Sequence, residues 1–407
     1  EIMSSDWSSD VCSSDLSWRC TSGRTAGFGM NAADKLHILV QINSHTENTA
    51  GVNEVGDTVA EWIPFMSREI FRGETRGDLN YFTSESKGNT PRILLCGHGD
   101  TVHRPELHFP VRFEDDKMYG PGVSDMKGGL AVIVETLIRL YHENDLVNID
   151  FLLIPDEELG STEHAKLLED IYARYDYTLV YEGSGFGDVP YTPRRRTVVV
   201  ERKGAGAARF TITAPGGHSG VLVKKEDRIS AVEEGARKVL AISECADYAK
   251  GTTTNVGKIS GGTAVNAIAE GCTLEADYRI KTAEERKRIR RAYEDLGKRY
   301  FIDGTKTAVE WLYDMPPMQQ TKETIKFADV VRSAGRSVGI DVQFERRGGG
   351  SDANRIGRFV ERVLDGFGPQ GGGDHTVGEY IYISSLEPSL FLSVEVLKKI
   401  ISPEHTV

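Results

Sequence analysis

Long apolar runs are missing from this chain. No stretch of about 18 or more apolar residues occurs, so no segment reads as a bilayer-spanning helix. Cysteine is also scarce. The five present, Cys12, Cys20, Cys96, Cys245 and Cys272, are odd in number and show no C-x-x-C spacing. That fits a reducing compartment or indifference to redox, with each cysteine read as a small buried hydrophobe. Positive charge is in deficit, 49 Lys and Arg against 61 Asp and Glu, for a formal net charge of −12. The acidic balance argues against nucleic acid or an anionic membrane as partner, since either would want a basic face. A locally positive substrate pocket remains compatible with it.

The 407 residues are 39% hydrophobic and 27% charged, enough for two domains with a core each and far from a disordered composition. The first 30 residues differ from the rest. The run SSDWSSDVCSSDL repeats a Ser-Ser-Asp unit without helical or strand period, and it lacks the basic and apolar regions of a secretory leader. It resembles translated sequencing-adapter read-through. Residues 1–30 are therefore set aside as a non-native segment, with the genuine start expected near Met30 or missing. Localisation is cytoplasmic by default, and a leader replaced by this segment stays open.

From Ala32 onward, short apolar runs alternate with helical patterns. Ile93-Leu94-Leu95-Cys96, Ile149–Ile154 and Thr178–Tyr181 read as buried strands. Leu130, Ile133, Val134, Leu137, Ile138 and Tyr141 recur at helical spacing. This rhythm predicts an α/β domain with a mainly parallel sheet covered by helices on both faces. Between about Val198 and Leu312 the rhythm changes. Alternating segments at Arg209–Ala214, Thr253–Ile259 and Thr273–Ile280 surround helical stretches at Ile229–Ile242 and Ala283–Tyr300, as in a small α+β module with an antiparallel sheet. A helix at 321–338, a strand at 340–345 and a helix near 385–401 then resume the first style. The expected division is catalytic domain 31–199, inserted domain 200–312 and catalytic domain 313–407.

The acids and histidines fall at one predicted edge. His98, Asp100, Glu157, Glu158 and Glu182 all follow the carboxyl ends of predicted strands, where open α/β sheets gather ligands. Asp125 lies in the glycine-rich loop GPGVSDMKGG just before a helix, and His375 lies in GGGDHT near the C-terminus. Taken singly, a His-x-Asp pair, a Glu-Glu pair or a glycine run is more often a surface feature or a turn. Imidazole with carboxylate suits Zn²⁺, and also Mn²⁺ or Co²⁺. In His98-Gly99-Asp100, residues two apart share a face of an extended chain, so Asp100 can orient the imidazole through its second nitrogen. Arg194-Arg195-Arg196 and the run Glu284–Arg288 read as solvated faces, and His164 reads as a surface residue on a helix.

The ordered motifs GHGDTV (97–102), GPGVSDMKGG (120–129), PDEELGS (155–161), YEGSG (181–185), GGHSG (216–220), GGGSD (348–352) and GGDHT (372–376) resemble metallopeptidase family 20. That family contains glutamate carboxypeptidases, aminoacylases and related di-zinc amidohydrolases. The resemblance implies two divalent metals, zinc by default, with His98 and Glu182 on one, Glu158 and His375 on the other, and Asp125 bridging. It implies that Asp100 orients His98 and that Glu157 is the general base. It further implies a zinc-exopeptidase-like catalytic domain and an inserted ferredoxin-like lid that carries a homodimer interface. His218 would then reach the partner's active site, Arg279 and Asn266 would bind the substrate carboxylate and nearby polar groups, and the backbone of Gly350 would face the substrate.

Glu at position 182 together with Arg279 points, within that resemblance, to a carboxypeptidase acting beside a free C-terminal carboxylate, closest to the glutamate carboxypeptidase group. The substrate is a small peptide or N-acyl amino acid. An N-acyl-amino-acid deacylase with the same site is the rival. A non-catalytic binding protein on the same fold predicts loss of the ligands or the base, and all of them are present.

Overall fold

The computed structural model describes residues 29–402 except 89, 108 and 186–190. The segment set aside on sequence grounds, Cys12, Cys20, His108 and His405 therefore lie outside the described residues, apart from positions 29 and 30. The runs Ile93–His98, Ile149–Ile154 and Tyr177–Val180 are buried parallel strands, with Ile93–His98 in the middle. Arg362–Leu364 adds a fourth parallel strand beside Tyr177–Val180. The opposite edge differs from a mainly parallel expectation. Leu79–Thr83 pairs antiparallel with Ile149–Ile154, and Ser67–Phe71 pairs antiparallel with Leu79–Thr83, so the six-stranded sheet is mixed.

Both faces of this sheet are covered, which is why its central strands are continuously apolar. Ile93 and Leu95 point into one core with the helices Ala32–Gln41, Gly128–His142 and Leu386–Ile401. Leu94 and Cys96, one residue out of phase, point into another with the helices Ala165–Tyr172 and Asp352–Ile356. The helix Gly128–His142 is buried nearly all round, beyond the single apolar face seen in its spacing. Tyr141 is an exception, 45% exposed and stacked on Phe65.

A second sheet runs through Gly204–Thr213, Thr253–Gly261, Gly271–Ile280 and Lys306–Met315. All its pairings are antiparallel, and the first and third of these strands are its inner pair. With the helices Ala231–Ser243 and Ala283–Lys298, the chain order is β-α-β-β-α-β, the ferredoxin-like arrangement. Phe210, Ile212, Leu274, Ala276 and Tyr278 meet Ile242, Ile289 and Tyr293 from the two helices. Arg209 and Glu275, on the other face, pair with each other at 2.9 Å.

Three surface assignments are corrected. Arg196 is 2% exposed, in the strand Arg195–Arg202 that pairs parallel with Asp341–Arg347. Its guanidinium donates to the Ser385 carbonyl at 2.5 Å and to Ser389 Oγ, and burial pulls its pKa down to about 10. Both contacts use Nη2 and end on oxygens at the start of the helix Leu386–Ile401, while Nη1 is buried without a hydrogen-bond partner among the described residues. Glu285 is also buried: hydrogen bonds from Arg288, and at 2.7 Å from Thr252 Oγ1, take its pKa down to about 2. His164 is half-buried just before the helix Ala165–Tyr172.

Phe210 is fully buried in the second sheet's core and meets Tyr293 edge-on at 5.5 Å. Phe210→Ala is expected to cost about 3–5 kcal/mol of stability. Urea denaturation of the variant beside the parent checks this.

Candidate metal centre and active site

The three central parallel strands end side by side. His98 closes the middle one in register with Ile154, and Val180 pairs with Cys96, so Glu157, Glu158 and Glu182 emerge at the same edge as His98. Asp125 comes to that edge from the turn Val123–Lys127, which leads directly into the helix Gly128–His142. His375 arrives from the opposite side on a turn at φ +62°.

Asp125 faces both imidazoles. Its Oδ1 lies 3.1 Å from His98 Nε2 and its Oδ2 lies 3.1 Å from His375 Nε2. Glu182 Oε1 is 3.6 Å from the first imidazole, and Glu158 Oε2 is 3.4 Å from the second. His98, Asp125 and Glu158 present one ligand atom each, all within 4.8 Å of one another. Asp100 is fully buried behind His98, whose Nδ1 is 3.0 Å from its backbone carbonyl and 3.2 Å from its Oδ1. The Asp100 carboxylate also accepts from Glu157 N at 3.0 Å, Glu158 N at 3.2 Å and Thr46 Oγ1 at 2.7 Å. One side chain thus contacts both the imidazole and the turn that carries both glutamates.

The electrostatics follow from this crowding. Burial, reinforced by the Asp125 charge, holds the Glu182 carboxyl well above the usual range. Burial does the same to Glu157, with Asp352, Glu182 and Glu158 adding to it against the pull of His98. Hydrogen bonds to Asp125 and Glu158 lift His375 to about 11. Burial would raise Asp125, but hydrogen bonds from His375 and His98 take it well below the carboxylate range. Three carboxylates, Asp125, Glu158 and Glu182, face only two imidazoles, a donor set short of positive charge. Glu158 Oε1 is moreover buried without a hydrogen-bond partner among the described residues. Hard oxygen donors with imidazole nitrogen fit divalent cations such as Zn²⁺, Mn²⁺ or Co²⁺.

A cavity of about 490 Å³ opens beside these groups. Asp125, Glu182 and His375 line it together with Arg202, Arg346, Arg347 and Gly350, and Glu345 beside them pairs with Arg347 at 2.5 Å. These arginines did not emerge from the sequence. Arg347 stands immediately before GGGSD and donates to the Gly183 carbonyl at 2.8 Å, next to Glu182. Arg202 is buried, with Nε 2.6 Å from Asp365 Oδ2. The remaining expected residues stand apart within this chain. His218 and Asn266 line a separate cavity of about 550 Å³ on the second sheet, and Arg279 faces Asp277 at 3.5 Å.

The family model for peptidase family M20/M25/M40 matches residues 94–401. The chain belongs to that family, whose members are hydrolases that typically hold two metals. It is 26% identical over 374 residues to carboxypeptidase G2 of Pseudomonas sp. (strain RS-16), covering 89% of this chain and 87% of that protein. It is 25% identical over 384 residues to succinyl-diaminopimelate desuccinylase of Vesicomyosocius okutanii subsp. Calyptogena okutanii (strain HA), covering 89% and 97%. Among solved structures, aminopeptidase PepT from Bacillus cereus superposes with a TM-score of 0.73 at 22% identity, over 91% of this chain and 98% of that one. The Bacillus subtilis YXEP protein, a dinuclear metal-binding peptidase of the M20 family, does so at 0.66 and 14%, over 91% and 98%. No helix among the described residues is long and apolar enough to cross a membrane.

Close approach at this edge depends on glycine. A Cβ on Gly129 would lie 2.0 Å from the Tyr181 carbonyl oxygen, next to Glu182. Helix propensity favours alanine there by about 1 kcal/mol, but a backbone clash of this kind costs about 1–3 kcal/mol. Gly129→Ala is therefore expected to lower the melting temperature, read by thermal denaturation.

Proposed function

We propose that this chain is a di-metal exopeptidase or amidohydrolase that cleaves the amide bond next to a free C-terminal carboxylate, in the manner of a glutamate carboxypeptidase. The carrying observation is that the two oxygens of Asp125 each face a different imidazole at 3.1 Å, with Glu182 beside one pair and Glu158 beside the other. That arrangement supports His98 and Glu182 as ligands of one metal, Glu158 and His375 as ligands of the second, and Asp125 as the bridge. Divalent cations held by these residues would supply Lewis-acid polarisation of the scissile carbonyl and a lowered pKa for the attacking water. Zinc is the proposed native metal, with Mn²⁺ or Co²⁺ compatible with the same donors.

Glu157 takes the proton from the water and returns it to the leaving amine. Asp100 keeps His98 Nε2 turned toward Asp125. The free carboxylate of the substrate meets the arginines of this cavity, among them Arg347, which bonds the Gly183 carbonyl next to Glu182. Gly350 lines the same cavity and offers its backbone to the substrate. His218 and Asn266, remote from Asp125 in this chain, act across a homodimer formed by the inserted domain. Val221, Val223 and Val265 are more than two-thirds exposed close to them, the apolar surface such an interface would cover. Arg279 completes the substrate site in that assembly. A second reading, an N-acyl-amino-acid deacylase, draws on the desuccinylase relatives that match over almost their whole length.

Purified protein is expected to hold two metals per chain and to release C-terminal glutamate in a chelator-sensitive way. Release of acyl groups only would move the reading to the deacylase, and absence of both metal and hydrolysis would end it. Glu157→Gln should lower kcat by about 10²–10⁴-fold while both metals stay bound, measured by turnover alongside elemental analysis. Arg347→Ala should raise KM for carboxylate-bearing substrates by about 10–100-fold with a smaller change in kcat. An unchanged KM there, with a large rise in Arg279→Ala, would return carboxylate recognition to Arg279.

A further inference from the structure

Glu379 is fully buried and has no place in the donor set, yet two segments of the metal centre converge on its carboxylate and a third meets its backbone. Oε1 accepts from Ser124 N at 2.8 Å and Asp125 N at 3.0 Å. Oε2 lies 3.1 Å from Gly122 N and 2.6 Å from His103 Nε2. The backbone adds to this, with Gly120 N donating to the Glu379 carbonyl at 3.3 Å and Glu379 N to the Thr376 carbonyl at 3.2 Å. His103 follows Asp100 by three positions, Asp125 bonds this carboxylate through its own amide, and His375 precedes Glu379 by four. One residue therefore ties together the strand end after His98 and the Asp125 turn through its side chain, and the His375 turn through its backbone.

The residue type matters as much as the position. Four donors point at this side chain, and an ionised carboxylate has about four acceptor sites. A glutamine amide would accept at one oxygen and set its own N–H groups against the remaining donors. The aspartate-bearing turn has no side-chain cap of its own, so these contacts stand in for one.

We infer that Glu379 is a positioning residue for the metal centre. It sets the Asp125 backbone so that its two oxygens face His98 and His375 together. The inference rests on the di-metal reading above, and supporting residues of this kind typically change metal affinity by about 10–100-fold.

The test is zinc affinity, measured by competition with a fluorescent chelator on full-length wild type, E379Q, H103Q and F210A, beside thermal melts of the metal-free proteins. Expected are an affinity loss of about 10–100-fold for E379Q and a smaller loss for H103Q, with F210A binding like wild type despite its lower melting temperature. H103Q decides alone if E379Q does not fold. Affinities for E379Q and H103Q within about twofold of wild type would overturn the inference and leave the metal reading standing. So would losses that F210A shares. A wild type that binds no zinc, Mn²⁺ or Co²⁺ would overturn both.

Discussion

Asp125 stands between two imidazoles, one on each carboxylate oxygen, and the surrounding construction answers what that placement demands. Like charges resist being brought together in a poorly solvated edge, and here Glu157, Glu158 and Glu182 crowd the same place. Such a cluster is tolerable only where backbone donors and cations compensate it and where its members cannot drift apart. Two buried carboxylates supply much of that rigidity. Asp100 holds the glutamate turn by its amides, and Glu379 holds the Asp125 turn by its own.

The sheet supplies the rest. Parallel neighbours Ile149–Ile154, Ile93–His98 and Tyr177–Val180 end at one level, so residues about 60 and 85 positions beyond His98 come within reach of it without long loops. The antiparallel strands at the far edge carry none of the site residues. The second sheet begins where Arg195–Arg202 leaves the first domain, and Arg202 stands at that junction with its guanidinium on Asp365 and on the carbonyls of Gly349 and Gly350. The arginines of the cavity therefore come from the paired strands Arg195–Arg202 and Asp341–Arg347 that lead into and follow the second sheet.

Several of these features could be read from residues alone. Strands with apolar residues at every position announce burial on both faces, and His98, Glu157, Glu158 and Glu182 follow such strands directly. The close backbone approach of Gly129 to Tyr181 was not read from the glycine-rich segment around Asp125, since a glycine run by itself says only turn. The strands Ser67–Phe71 and Leu79–Thr83 escaped notice because SREIF and LNYFT carry little periodic contrast. Arg196 was misread for a different reason. Three consecutive arginines look solvated, and nothing local shows that the last of them meets the start of a helix 189 positions away.

What the sequence by itself determined is chemistry and local order: the donor types, their sequence along the chain, the strands that end in them and the two rhythms of the two modules. These depend on side-chain identity and on the short periods of helix and strand. Tertiary structure alone decided which acids are buried beside which bases, that Glu379 answers four donors, and that Arg202 and Arg347 rather than Arg279 line the cavity within one chain. Hydrogen-bond partners across some 250 residues and the balance of burial against pairing come from packing, and no local pattern encodes them.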